Sequence, residues 1–127
     1  MKRQILGDKI AIGLSILCIF HCLIFPLLLI ALPVMASVAV LFDESFHQWL
    51  LLAIVPISLP ILTLGCMRHK STKVFLVGVL GIALLLTPWL IGEDRVNEAL
   101  EVFLTVIGSL ALVYSHFKNY SLRQFID

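Results

Sequence analysis

Residues 10–42, IAIGLSILCIFHCLIFPLLLIALPVMASVAVLF, run for about 33 positions without one Asp, Glu, Lys or Arg. A helix of about 20 apolar residues crosses the hydrocarbon core of a bilayer, so this stretch predicts a membrane span. As one straight helix it would be about 50 Å long against a core of about 30 Å, so it has to break. Pro33 marks the place, leaving 34–42 as an outer connector near the membrane surface. Inside the span, Pro26 lacks the N–H that the carbonyl of Cys22 would otherwise accept. That leaves either an opening for an ion above a thiol or an ordinary structural proline, since prolines are common in membrane helices.

The rest of the chain has the same character. It is 61% hydrophobic and 13% charged, far from the roughly 45–50% and 25% of soluble domains. Further uncharged runs cover Ser45 to Met67, Val74 to Gly92 and Val102 to Phe117, the last extending outward past Glu101 and Glu98. The expected fold is an all-α integral membrane protein, four spans at roughly 10–32, 45–67, 74–92 and 98–118 in a small antiparallel bundle, forming a single domain over 1–127.

Charge placement orients it. Lys2, Arg3, Lys9, Arg68, Lys70, Lys73, Lys118 and Arg123 fall on one side, and only Arg95 falls on the other, among Asp43, Glu44, Glu93, Asp94 and Glu98. The positive-inside rule then puts both termini in the cytoplasm. The near-zero net charge gives no sign of a nucleic-acid partner. A cleaved leader is the rival reading of the N-terminus, but a leader core has about 7–15 apolar residues and this run is about twice that, so the first span is expected to stay.

The chemistry-bearing residues are Cys18, His21 and Cys22. Counting from Lys9 at 1.5 Å per residue puts the two thiols about 13 and 20 Å deep, bracketing the midplane. Two thiols and an imidazole suit a soft metal ion, and such groups inside a span are a functional hypothesis by default. Apolar burial holds a thiol protonated, so the ion itself must drive deprotonation, which favours mercuric, cuprous or cadmium ion over magnesium or calcium. Closed structural zinc wants four protein ligands where three are near. A disulfide within one helix is poorly oriented. There is no serine, histidine and acid set, no phosphate-binding glycine loop and no intramembrane carboxylate pair, so no enzyme is expected.

Helical spacing extends the picture. Ala11, Ser15, Cys18 and Cys22 fall at steps of four, three and four, and Thr105, Ser109, Leu112 and His116 do the same in the last span, with Glu101 beyond. Weakly polar stripes face other helices, so both should point into the bundle. Opposed helix directions set His116 level with Ala11, where Cys66 or Asp8 is the natural companion. His47 begins the second span at the outer mouth. Together His47, the central trio and the His116/Cys66 level form a possible ladder for an inward-moving ion. Against this, a lone cysteine such as Cys66 is commonly a packing residue, and His47 and His69 sit at interfaces where a histidine needs no explanation. Trp49 and Trp89 suit the interfacial belt, and Gly78, Gly81, Gly108 and Ser109 suit close helix contact.

Asp8, Ser15, Cys18, His21, Cys22 and Pro26, then Pro33, His47, Pro56, the Gly65 to His69 turn, Gly78, Gly81, Gly108, Ser109, His116 and Asn119 form a pattern over nearly the whole chain. It resembles the MerC-type family of mercury-resistance inner-membrane proteins. The resemblance implies a four-span protein of the bacterial inner membrane that carries mercuric ion into the cytoplasm, with Cys18 and Cys22 matching the family's intramembrane pair. The best-known mercury carriers have adjacent cysteines in the first span and a second, cytoplasmic pair. Here the first pair is four apart, and only Cys66 stands for the second. The expected function is uptake of a soft ion, mercuric first, with copper, zinc or cadmium also open, and no permanent cofactor. The alternatives are a metal sensor or haem-binding bundle using His21 or His116, or a small membrane adaptor. Four spans leave little room for a central pore, so a homo-oligomer is conceivable, as is a cytoplasmic metal acceptor.

Overall fold

The computed structural model describes residues 2–31 and 44–126, the side chains of 25–31, 44 and 93 excepted. Regular structure among them is helical throughout: α1 (Lys2–Ala31), α2 (Glu44–His69), α3 (Thr72–Ile91) and α4 (Glu98–Ile126), with one 3₁₀ turn at Glu93–Arg95 before α4. All 4 α-helices are long and apolar enough to cross a membrane. The connector 34–42, the break at Pro33 and the ring of Pro26 lie outside the described residues, although the α1 backbone is helical through position 26.

The helices form a four-cornered bundle in which α1 packs on α2, α2 on α3, α3 on α4 and α4 back on α1, with α4 also reaching α2. The bundle's two ends differ. Gln4 meets Arg123 and His69 meets Asn119, so both termini and the α2–α3 turn share one end, called here the terminal end. The C-terminal half of α1, the start of α2 and the connection from α3 to α4 lie toward the far end. Trp49 and Trp89 face outward near that far end.

Two close approaches hold α4 in place. A Cβ on Gly81 would come within 2.8 Å of the Gly108 carbonyl oxygen, and a Cβ on Gly108 within 2.8 Å of the Gly81 carbonyl oxygen. The α3 and α4 backbones therefore touch, as small residues permit where no hydrophobic force drives association between helices. Two turns toward the terminal end, Ser115 Oγ donates to the Val74 carbonyl across the same interface at 2.7 Å. On the other side, a Cβ on Gly65 of α2 would overlap the Asn119 amide, so the missing side chain is what admits Asn119 between α2 and α1.

The first and last helices are longer than their uncharged runs. α1 begins at Lys2, eight residues before the expected span, and α4 continues to Ile126 past the expected end near 118. The cause is mutual satisfaction of polar side chains at the terminal end. Arg123, counted above as a cytoplasmic tail charge, is only 1% exposed. It donates to the Ile61 carbonyl at 2.8 Å and to Gln4 Oε1 at 3.3 Å.

Candidate metal centre

Both weakly polar stripes are interior: Ala11, Ser15, Cys18, Thr105, Ser109, Leu112 and His116 are fully buried, and Cys22 is half-buried. They form one seam between α1 and α4. Gln4 faces Arg123, Asp8 faces Asn119, Cys18 borders Ser109 and Cys22 borders Thr105. Each step along α1 is matched by an equal step back along α4, the register of an antiparallel pair.

At the far end of the seam stands the thiol group. Cys18 Sγ, Cys22 Sγ and a nitrogen of His47 lie within 4.8 Å of one another, and Cys22 Sγ is 3.8 Å from His47 Nδ1. Metal bonds of about 2.3 Å to sulfur and 2.0–2.1 Å to nitrogen at a tetrahedral angle set the two ligand atoms about 3.6 Å apart. The observed separation is thus close to what a shared ion requires. All three cysteines are free thiols. Around an ion these three side chains would supply three ligands and leave a fourth tetrahedral position open, as ligand-exchanging sites do and closed structural ones do not.

The third atom of this group comes from α2. His21, read above as the partner of the thiols, has its ring centroid 5.1 Å from that of Phe46 and 6.2 Å from that of His47, nearly parallel to the latter at 22°. It packs beside the group, and His47 enters it. His47 also stops being a separate rung, because it shares one level with Cys22 only three residues after the start of α2. The group therefore extends from Cys18, inside the bundle, to Cys22, level with the start of α2, while α1 continues beyond it to Ala31.

A second polar centre lies at the terminal end. Asp8, His116 and Asn119 are fully buried there. His116 Nδ1 is 2.7 Å from Asp8 Oδ1, and Asn119 Nδ2 donates to both Asp8 oxygens at 2.8 and 3.1 Å. Arg123 Nη1 is 3.6 Å from Asp8 Oδ2. The Ser71 N–H donates to His69 Nδ1 at 3.0 Å, which leaves the proton of that ring on Nε2 to donate to Asn119 Oδ1 at 2.8 Å. Of the two companions expected for His116, Asp8 is the one that meets it. Cys66 is half-buried and belongs to no group of three ligand atoms among the described residues.

Asn119, His69 and Arg123 carried no role in the spacing argument. A signal for Asn119 was present, since it follows His116 by three residues and so shares its helix face.

Two thiols and an imidazole gathered between helices long and apolar enough to cross a membrane are the donor set expected of a membrane protein that handles soft metal ions. The family model for MerC mercury resistance protein matches residues 8–121, and the chain belongs to that family. These are mercury-resistance membrane proteins involved in mercuric ion uptake, transport proteins and not enzymes. No curated protein and no solved structure matches the chain.

Proposed function

We propose that this protein takes mercuric ion from the far face of the membrane and delivers it at the terminal end, with Cys18, Cys22 and His47 as the capturing ligands and both termini in the cytoplasm. The observation that carries the reading is the convergence of two thiols and an imidazole from two helices at one end of the bundle. An arriving ion meets Cys22 and His47 first, and each thiol loses its proton as its sulfur–metal bond forms. Cys18, one helical turn deeper and fully buried, then draws the ion inward by ligand exchange. Hard divalent ions are disfavoured by the sulfur ligands, while cuprous and cadmium ions compete. The excess of basic residues at the terminal end supports the orientation.

The test is uptake of radioactive mercuric ion by cells or proteoliposomes carrying the wild type, Cys18→Ser/Cys22→Ser or His47→Ala, with membrane insertion checked in each. Uptake should vanish in the double variant and fall sharply without His47. Undiminished uptake in the double variant would overturn the reading.

A further inference from the structure

The His116 ring has one nitrogen committed and one unclaimed. The Asp8 carboxylate accepts from Asn119 at both oxygens and faces Arg123, so the His116 proton belongs on Nδ1, donated to Asp8 Oδ1. In the neutral ring Nε2 then carries a lone pair. It is fully buried and has no hydrogen-bond partner among the described residues. A carboxylate on one imidazole nitrogen is the device that fixes tautomer and ring orientation in metal-ligating histidines and raises the basicity of the other nitrogen. Burying that nitrogen between helices with no partner costs free energy, which a structural role alone leaves unexplained.

What lies between is consistent. The antiparallel register sets Ala11 opposite His116, and Ser109, opposite Cys18, is seven residues from His116, about 10 Å along the axis. Over that interval and just beyond it, the Ser15 hydroxyl is buried without a partner among the described residues, and the buried hydroxyls of Ser109 and Thr105 face Cys18 and Cys22. Leu112, also fully buried, is the one apolar member of the α4 stripe between Ser109 and His116.

We infer that His116 Nε2 is a second landing site for the transported soft ion, held in ligand orientation by Asp8 and reached from Cys18 along the α1–α4 seam. This inference rests on the uptake reading for its direction and not for its ligand. A single imidazole with neighbouring hydroxyls binds the ion more weakly than two thiolates, so the site receives and releases.

The experiment is a titration of the full chain in lipid nanodiscs with mercuric ion, reading the thiolate-to-mercury absorbance band and the ¹⁵N resonances of the histidines together. The band should saturate with the first equivalent, and the His116 Nε2 resonance should shift with the second. His116→Asn keeps a donor for Asp8 in place of Nδ1 and removes Nε2; it should lose the second equivalent and retain the band. Asp8→Asn should weaken the second equivalent by about 10–100-fold. If His116→Asn does not fold, the wild-type titration alone decides. A saturated band with the His116 resonance unmoved overturns the inference and leaves the thiol site standing. A shifted His116 resonance with no band removes the thiol site and leaves this one. Silence in both removes both.

Discussion

At the scale of single residues, the divided positions of His47 and His21 are the sharpest finding of the structure. Cys18 and Cys22 are legible in the sequence because one helix carries both, and a four-residue step stacks them on one face whatever the rest of the chain does. His47 is legible only as a separate outer rung, because its arrival beside Cys22 depends on how the intervening chain returns and how α2 settles against α1. His21 is close in sequence and His47 close in space. Mercuric affinity should therefore fall at least about tenfold in His47→Ala, the lower bound for losing even an outer partner of a metal site, and change much less in His21→Ala. Isothermal titration of the two variants in detergent separates them. Asn119→Leu belongs to the same scale. It removes a donor that reaches both Asp8 oxygens and leaves His69 Nε2 without the Asn119 acceptor, two groups that Asn119 joins at 2.8 Å on either side. The expected cost is about 1–3 kcal/mol of stability, with the thiol absorbance band unaltered, measured by thermal unfolding and by mercuric titration.

Among the elements, α4 organises the molecule. Its stripe of small and polar residues was readable from steps of three and four, and the burial of Thr105, Ser109 and His116 agrees with it. Its length was not readable. The charge pattern assigns Lys118 and Arg123 to a tail, yet only Lys118 faces outward, while Arg123 turns inward to the Ile61 carbonyl. A guanidinium counts as a topology marker in a linear string and as a hydrogen-bond donor in a bundle. The glycine contact makes the prediction for this scale. Gly108→Ala forces its Cβ against the Gly81 carbonyl oxygen and should cost about 1–3 kcal/mol by overpacking. Gly108→Leu should part α3 from α4 altogether. Gly13→Ala, with nothing within 4 Å of the added carbon, should leave the unfolding temperature unchanged or slightly raised. Equal damage from Gly13→Ala and Gly108→Ala would show that the close backbone contact is not what matters.

For the molecule as a whole, the four-helix architecture follows from hydropathy alone, and pairing of the termini at one end follows from an even number of crossings. Which membrane face that end meets rests on the basic residues gathered there. Reporter fusions at residue 127 and in the 92–97 loop test it: an enzyme active only in the cytoplasm should work at the first position and fail at the second. The reverse pattern would invert the direction of delivery proposed above.

The thiols stand on α1 and their imidazole partner on α2, two helices otherwise joined through residues 32–43 and by packing. An ion shared between them is a reversible cross-link, so occupancy and fold stability are one thermodynamic quantity. A ligand at a hundredfold its dissociation constant stabilises the form that binds it by about 2.7 kcal/mol. The melting temperature should climb with mercuric concentration in the wild type and stay flat in Cys18→Ser/Cys22→Ser. The empty carrier is then the looser one, and heat resistance becomes a gauge of load.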